Sequence, residues 1–387
     1  MIKHIIKLIW NKKKSNALMI LEIFLSFLVL FFVLSYFFFN MERVSKPLGF
    51  ETQDRWMVWL DNIRQRDSLD IISTMDNLKA NLLAEENIED VTFLTSIAPF
   101  TDNGWYDGND DNGFEMSSLV VPCDYKMADV MNNKVIEGRW FTEEDLNSAI
   151  PPMIVNKNFI NKYYPESSMI DSIISFSGQR KIIGVVDEYR YPGEFEEPHE
   201  IVFRLYPFVE NLDNVVLKMK PNTSASFEER LSNIVNTTTK TTGSVIYNLE
   251  KKRKDKGRNS WILIIALLSI CGFLCLNVSL GLFGVLWYNI NKRKSEIGLR
   301  QALGAHSVDI MKQFITEILI VALFAILIGI FFSIQIPLLK ITEYPDILFY
   351  KAILYTTLII LVLVTICALF PSVQAARITP ANSLHED

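Results

Sequence analysis

The sequence is poor in the residues from which most metal sites and disulfide frameworks are built. Its 387 residues include only 4 His and 4 Cys. The histidines are dispersed along the chain, which excludes a His-rich metal site. Three of the cysteines lie in apolar runs and only Cys123 lies outside them, so a disulfide framework is excluded as well. The formal net charge of −6 excludes a broadly basic nucleic-acid-binding protein.

Common catalytic motifs are also missing. The sequence has no Gly-Lys dipeptide, and therefore no phosphate-binding P-loop, and it lacks H-E-x-x-H, G-x-S-x-G and C-x-x-C. The acidic stretch 107–113 is similar to a calcium loop only in part, because Asn112 and Ser118 stand where an EF-hand needs glycine and glutamate. A polar loop is favoured there. The sequence predicts a protein that is not an enzyme and has no metal or cofactor of its own.

What the sequence has in abundance is long apolar runs. A helix needs about 20 apolar residues to cross a bilayer, and four stretches are long enough: Ala17–Phe39, Trp261–Tyr288, Phe314–Leu339 and Ala352–Phe370. A helix buried in a soluble core would be shorter and amphipathic. The first stretch follows five lysines, as in a signal peptide, but it is too long and no A-x-A site follows it. We therefore expect four transmembrane helices, the first an uncleaved anchor.

Charge divides the chain into two parts. Residues 40–258 carry a net charge of −11 and the remaining residues a net charge of +5. Lys and Arg near span ends favour the cytoplasmic side. Segments 1–16 and 289–313 carry five each, which places both in the cytoplasm. The basic run 251–258, beside the second span on the opposite side, disagrees with this rule.

This orientation gives the domain boundaries. The predicted order is a cytoplasmic segment 1–16, span 17–39, extracytoplasmic domain 40–260, span 261–288, cytoplasmic loop 289–313, span 314–339, short outer loop 340–351, span 352–370 and cytoplasmic tail 371–387. Short alternating runs punctuated by Gly, Pro and Asn predict an α+β extracytoplasmic domain. We expect strands at 56–60, 91–97, 118–121, 170–176, 181–186, 201–205 and 215–219, and helices at 69–83, 156–163 and 227–235.

Two acidic residues, Glu22 and Glu317, interrupt the apolar spans. A charge at membrane depth is costly and is by default a functional hypothesis. Both residues lie roughly one turn inside the cytoplasmic ends of their spans, at ~1.5 Å per residue. An ion relay would place its charges near the bilayer centre. We therefore expect these carboxylates to reach the interface or to pair with Lys14 and Lys312.

A small-residue face marks the second span. Asn277, Gly281 and Gly284 recur at near-helical spacing, which favours close packing between helices. A dimer seam and packing within one subunit both fit this pattern.

The cytoplasmic loop 289–313 combines basic residues with an apolar stripe. Ile297, Leu303, Ile310 and Phe314 form the stripe, and charged residues occupy the other side. Such an amphipathic helix can lie at a membrane surface or dock in the groove of a partner.

The same loop closely resembles the signature R-x-x-E-I-G-[LI]-R-x-A-L-G-A of MacB/FtsX-type ABC transporter permeases. The matching residues are Glu296, Ile297, Gly298, Leu299, Arg300, Ala302, Leu303, Gly304 and Ala305. The family commonly has an acidic residue in the third helix, as at Glu317, and its C-terminal pattern is similar to residues 371–384. Phrases at 137–141, 155–159 and 183–187 are similar too, so the resemblance covers nearly the whole chain.

The resemblance implies a four-span permease with its large domain between the first and second helices. Some members carry a fused ATPase, but only about 16 residues precede the first span here, which implies a separate ATP-binding subunit that binds the ATP. A dimer with a second copy or a related permease, and a periplasmic adaptor, are the other implied partners, in a bacterial plasma membrane and without nucleic acid. The residues implied in coupling to the ATPase are Glu296, Ile297, Gly298, Arg300, Ala302, Leu303, Gly304 and Ala305, with Glu296 and Arg300 as the first polar contacts.

The mechanism implied by the resemblance is mechanotransmission. ATP-driven motion at the loop would pass through the helices and expel a substrate held outside the membrane. The acidic domain favours cationic cargo such as antimicrobial compounds or peptides. Three alternatives remain: a regulator of a cell-wall hydrolase like FtsX, a lipoprotein-releasing permease and a membrane-anchored ligand sensor.

Overall fold

The structure is a computed structural model that describes residues 13–61, 68–109, 116–165, 167–205, 213–241, 243–342 and 344–376. The predicted tail beyond residue 376 and the N-terminal residues before 13 lie outside this description, as do residues 110–113 of the acidic loop. The chain divides into two compact units. One runs from Arg43 to Ser260, and the other contains the residues before and after it.

The elements follow one another in this order. The helices are α1 (Lys13–Ser45), α2 (Ser68–Leu83), α3 (Met127–Met131), α4 (Lys157–Tyr163), α5 (Phe227–Thr239), α6 (Leu249–Lys292), α7 (Lys294–Ala302), α8 (Ser307–Ser333), α9 (Gln335–Leu338) and α10 (Asp346–Ala376). A 3₁₀ helix spans Glu143–Asn147. The strands are β1 (Arg55–Trp59), β2 (Ile88–Leu94), β3 (Tyr106–Asn109), β4 (Met116–Cys123), β5 (Val135–Gly138), β6 (Pro152–Asn156), β7 (Ile173–Ser175), β8 (Gln179–Val186), β9 (Ile201–Leu205), β10 (Asn214–Met219) and β11 (Val245–Asn248).

All eleven strands in the described part of the unit 43–260 belong to one mixed sheet. Its order is β11-β1-β10-β2-β4-β9-β6-β8-β5, with β3 beside β4 and β7 beside β8. The pairs β4–β9 and β6–β8 are parallel and the other pairs are antiparallel. A single residue pair, Leu94 with Cys123, joins β2 to β4. The sheet is therefore two halves that meet at a narrow seam.

The first half has the β-α-β-β-α-β arrangement of ferredoxin-like domains. It consists of β1-α2-β2 and β10-α5-β11, and the chain between β2 and β10 forms the second half. Val58, Leu78 and Leu231 are fully buried in the core that joins this half-sheet to its two helices. A second cluster, around Phe159, packs the other half of the sheet. A third cluster, around Phe203, is shared by both halves, since it also contains Met57 of β1 and Val216 of β10. The α+β prediction is confirmed.

The predicted strands and helices of this unit all occur within a few residues of their expected positions. The strands β3, β5, β6 and β11 were missed. The strand β6 lies centrally, between β9 and β8, but it begins at Pro152 after a second proline. Proline is tolerated at the first residue of a strand, and the short run Met153–Val155 that follows is too brief to give a periodic signal.

The other unit contains the spanning helices. Among the residues that the structure describes, four helices are long and apolar enough to cross a membrane: α1, α6, the α8–α9 segment and α10. Phe27 and Phe31 are buried in their shared core. A Cβ added at Gly329 of α8 would lie 2.7 Å from Cγ of Phe27, so the glycine allows α8 to pack directly on that ring.

All four of these helices extend beyond the predicted spans at one end or both, and α6 extends furthest. Helix α6 begins at Leu249, where the Asn248 side chain accepts a hydrogen bond from the Lys251 N–H (3.0 Å) as an N-cap. Helix α10 continues beyond the predicted span 352–370 to Ala376, with Pro371 inside it. Spanning helices tolerate an internal proline when neighbouring groups and local adjustments satisfy the freed carbonyl.

Candidate functional site

The family-like loop folds as a short helix followed by a sharp turn. Helix α7 covers Lys294–Ala302, and α8 begins at Ser307. Gly304 has a φ of +97°. The Gly304 N–H donates to the Gln301 carbonyl (3.0 Å) and the Ala305 N–H donates to the Arg300 carbonyl (3.0 Å). These two bonds form the Schellman motif that ends helices at glycine, so the L-G-A part of the sequence pattern is a helix stop.

An apolar cluster holds the inner side of α7. Ile297 is buried together with Ile290, Ile310, Phe314 and Ala375, which come from α6, α8 and α10. Three of the four predicted stripe residues therefore meet as expected.

Leu303 does not belong to this stripe: it is 79% exposed. The reason is that α7 ends at Ala302, and helical periodicity ends with it.

A chain of polar side chains ties α7 to α8. The Arg293 guanidinium donates to the Glu317 carboxylate (3.0 Å), and Gln313 Nε2 donates to Glu317 Oε1 (3.0 Å). Arg300 donates to Gln313 Oε1 (2.8 Å) and to Glu296 Oε1 (2.6 Å). Two guanidinium groups and two carboxylates thus neutralise one another across the junction.

The Arg293–Glu317 ion pair is the buried end of this chain, since its side chains are only 13% and 16% exposed. The expected pairing of Glu317 with Lys312 is wrong. Residues five apart on a helix with ~3.6 residues per turn point about 140° away from each other. Arg293 and Gln313 were not singled out from the sequence, although Gln313 and Glu317 have the i, i+4 spacing of helix neighbours.

Four apolar residues in α7, in the turn after it and at the start of α8 are exposed. We call these four residues, Leu299, Ala302, Leu303 and Val308, the α7 patch. Glu296 and Arg300, chosen from the sequence as polar contacts, engage each other beside the patch. Gly298 is buried on the inner side, whereas Ala305 is partly exposed in the turn.

The structure brings two of the candidates in the spans together. A Cβ added at Gly281 of α6 would lie 2.6 Å from Glu22 Oε1, so the carboxylate of α1 rests against the backbone of α6. Asn277 is exposed and donates to the Phe273 carbonyl of its own helix (2.9 Å). Gly284 is exposed too, and no described atom lies within 4 Å of a Cβ built there. Of the three small or polar residues, only Gly281 packs against a neighbouring helix.

The basic run 251–258 is largely paired with acidic side chains of its own unit. Arg253 pairs with Glu194 (3.3 Å), and Lys256 forms an ion pair with Asp102. Because these charges are neutralised locally, they weigh less in the orientation rule than their number suggests. Within the described ranges, no cluster of three or more His, Cys, Asp or Glu residues could hold a metal ion.

Comparison with known proteins agrees with this architecture. A family model described as MacB-like periplasmic core domain matches residues 17–234, and one described as FtsX-like permease C-terminal matches residues 262–380. The chain is 23% identical over 297 residues to YvrN, an uncharacterised ABC transporter permease of Bacillus subtilis, and the match covers 70% of this chain and 72% of YvrN. It is 20% identical over 330 residues to the macrolide export ATP-binding/permease protein MacB of Neisseria meningitidis, covering 82% of this chain.

The chain spans about half the length of that MacB relative, 50% of it. Among solved structures, the periplasmic region of MacB from Actinobacillus actinomycetemcomitans has a TM-score of 0.39 at 13% identity, covering 55% of this chain and 96% of that one. The extracellular domain of the transporter YknZ from Gram-positive bacteria has a TM-score of 0.36 at 13% identity, covering 50% and 99%. On the two family matches, the chain belongs to the MacB/FtsX-like family of ABC transporter permeases, multi-pass proteins of the bacterial inner membrane with a large extracytoplasmic domain.

Proposed function

We propose that this chain is the membrane subunit of an export system whose ATP is bound and hydrolysed by a separate subunit docked on α7. The α7 patch is the observation that carries the proposal. An apolar surface on a short, fixed helix in the cytoplasm is typical of a protein contact. The proposed occupant is an ATP-binding subunit, because the patch lies within the segment that matches the permease family.

The surroundings of α7 suit a docking element that must transmit a force. Its inner side is held by the cluster around Ile297, and its polar side is tied to α8 by the network around Glu317. A displacement of α7 would therefore move α8 rather than bend a loose loop.

The spanning helices suit the same role. Helix α6 has 44 residues without a break, which corresponds to about 66 Å at ~1.5 Å per residue. A continuous hydrogen-bonded rod can carry an axial displacement, and mechanotransmission of this kind needs no polar channel through the bilayer. We propose that two copies of the chain, or one copy and a related permease, form the working unit with two ATP-binding subunits.

A docking test uses one substitution at the patch and a matched one elsewhere. Leu303→Asp places a charge in the proposed contact and should abolish recovery of the ATP-binding subunit with the tagged full-length chain. Leu83→Asp changes an exposed leucine of the extracytoplasmic domain and should leave recovery unchanged. Equal recovery with both variants would contradict docking at the patch.

The polar pair beside the patch gives a test of coupling. Glu296→Arg or Arg300→Glu should uncouple ATP hydrolysis from export while the protein still inserts into the membrane, because the charge that orients α7 is reversed. Exchanging both residues restores the ion pair and should restore part of the coupling. Wild-type export by both single variants would remove the pair from the coupling mechanism.

The proposed cargo is a cationic antimicrobial compound or peptide. The support is the net charge of −11 on residues 40–258, together with the macrolide export named for the MacB relative. A deletion strain should become more susceptible to macrolides or cationic peptides. Unchanged susceptibility with loss of cell-wall hydrolase activity would favour an FtsX-like regulator, and lipoproteins retained in the inner membrane would favour a lipoprotein-releasing permease.

A further inference from the structure

The last turn of α1 is hydrogen-bonded to residues 190–197, which form part of the loop between β8 and β9. The Arg43 guanidinium donates to the Phe195 carbonyl (2.7 Å) and to Glu197 Oε1 (2.7 Å). Arg43 lies two residues before the end of α1, the helix that contains the first span. Both contacts lie within the extracytoplasmic unit.

Arg190 fixes the same junction from inside. Arg190 is only 2% exposed. One Nη donates to the Arg43 carbonyl (2.6 Å), and the other donates to the Glu196 carbonyl (3.0 Å) and to the Glu194 carbonyl. A cation beside the last carbonyls of a helix is favoured by the helix dipole. The guanidinium thus joins the end of α1 to two carbonyls of one loop.

The burial of Arg190 has a cost that its neighbours offset only in part. Desolvation lowers the pKa of Arg190, and Arg43 lowers it further, whereas Glu188 and Glu194 raise it. The group stays protonated because arginine titrates far above neutral pH. A neutral side chain without this fork would leave the carbonyls of Arg43, Glu194 and Glu196 without their donor. Unpaired buried acceptors are costly, so this replacement should disturb the junction more than a surface substitution would.

The beginning of α6 meets the same loop from another side. Arg253 Nε lies 3.3 Å from Glu194 Oε1, and a Cβ built at Gly193 would lie 3.6 Å from Cγ of Lys256. Lys256 in turn pairs with Asp102. These residues of α6 lie one to three turns before the second span.

We propose that the loop 190–197 is a clasp through which the extracytoplasmic ends of the first and second spanning helices are coupled, with Arg190 as its central positioning residue. This inference rests on the proposed mechanical function, because a clasp of this kind lets the motion of one helix reach the other and the sheet behind them. The clasp also explains the basic run beside the second span: Arg253 and Lys256 bind the domain rather than orient the membrane helix.

Coupling predicts effects that cross from one helix to the other. In amide hydrogen exchange of the full-length chain in nanodiscs, Arg43→Gln should raise the exchange rate several-fold in the loop and also in residues 251–258. Arg253→Gln should reciprocally raise it in residues 40–48, because coupling between two sites is mutual. The matched control is Arg230→Gln, which breaks a surface ion pair with Glu85 in the same unit and should change neither region.

Effects confined to the helix that carries the substitution would overturn the clasp. Arg190→Gln should raise exchange in the loop, in residues 40–48 and in residues 251–258. Arg190→Lys keeps the charge but loses the planar fork, so its exchange rates should lie between those of the wild-type chain and Arg190→Gln. The lysine variant keeps the test usable if Arg190→Gln fails to fold. These measurements use the permease alone and decide the clasp even if no ATP-binding subunit docks on α7.

A second measurement connects the clasp to the proposed function. With the co-purified ATP-binding subunit, Arg43→Gln should leave subunit binding and basal hydrolysis unchanged while reducing the ATP-dependent change in exchange of the extracytoplasmic sheet. An undiminished ATP-dependent change would show that the loop is not on the transmission route. Failure of the ATP-binding subunit to bind the wild-type chain would instead contradict the proposed function.

Discussion

At the scale of single residues, the stretch Glu137–Phe141 shows how a family-like phrase becomes a structural unit. Arg139 donates to both oxygens of Asp145 (2.6 and 2.8 Å), and the same carboxylate accepts from the Thr142 N–H (2.8 Å) at the start of the 3₁₀ helix. Asp145 is buried, whereas Arg139 is half exposed. The sequence pattern therefore encodes a bidentate clamp that fixes the chain after β5.

This clamp should make the stability of the extracytoplasmic domain depend on pH. The Arg139 hydrogen bond, with the Thr142 amide, holds the pKa of Asp145 below its usual value although burial raises it. A depressed carboxyl pKa contributes stability above the ordinary value of about 3.9, and this contribution is lost as the pH falls through the folded pKa. Asp145→Asn should lower the free energy of unfolding by about 1–3 kcal/mol at pH 7 and by less below pH ~3.9.

Urea denaturation followed by tryptophan fluorescence at both pH values measures this difference. Asp129→Asn, which breaks an exposed ion pair with Lys126, is the control and should cost little. A loss of stability that is equal at both pH values would show that the Asp145 charge is not the source.

The Arg293–Glu317 pair gives a second prediction at this scale. Glu317→Leu leaves a mostly buried guanidinium without its carboxylate, and Arg293→Met leaves the reverse, so each should destabilise the α7–α8 junction by roughly 1–3 kcal/mol. The double variant should cost less than the sum of the single variants, since paired charges replaced by apolar groups are often tolerated. Hydrogen exchange of residues 294–303 measures the three values, and strict additivity would contradict a direct interaction.

At the scale of elements, the sequence was sufficient to predict a helix or strand where buried residues recur at a regular period. The four spans, α2 and most strands of the sheet were predicted because their apolar residues recur at the helical or strand period. The C-terminal end of α7 was not predicted, because it depends on one positive φ at Gly304 rather than on periodicity. The same stop places Leu303 in solvent instead of in the stripe, which is why the α7 patch was missed.

Gly304 should therefore be more sensitive than its exposed position suggests. Gly304→Ala forces a Cβ into the left-handed region and should cost about 1 kcal/mol. Gly304→Asn should cost less, because asparagine tolerates this conformation better. ATP-driven export should therefore be highest with glycine at position 304, lower with asparagine and lowest with alanine. Gly178 has the same φ of +97° in the extracytoplasmic domain with no described atom near its Cβ position, so Gly178→Ala is the matched control and should leave export unchanged.

At the scale of the whole molecule, contacts between distant residues were beyond sequence reasoning. The hydrogen bond from Arg190 to the Arg43 carbonyl joins residues that are 147 positions apart in the sequence. The packing of Gly329 on Phe27 joins two spans that no periodicity relates. The candidate site was found because its residues are consecutive, whereas its partners Arg293 and Gln313 became evident only in three dimensions. The extracytoplasmic pairing of Arg253 and Lys256 likewise explains a charge run that the orientation rule alone could not place.

The proposed transmission requires α7 and the sheet to lie on opposite sides of the membrane. This orientation of the chain can be tested directly. Leu303→Cys and Glu144→Cys introduce thiols at exposed positions of the cytoplasmic turn and of the extracytoplasmic domain. Cys275 and Cys367 are only partly buried in the spans, so a background with these cysteines replaced by serine avoids labelling of native thiols. In spheroplasts, a membrane-impermeant maleimide should label residue 144 and not residue 303, and in inside-out vesicles the result should be reversed. Labelling of both residues from the same side would contradict transmission from a cytoplasmic ATP-binding subunit to an outer domain, whatever the behaviour of the α7 patch.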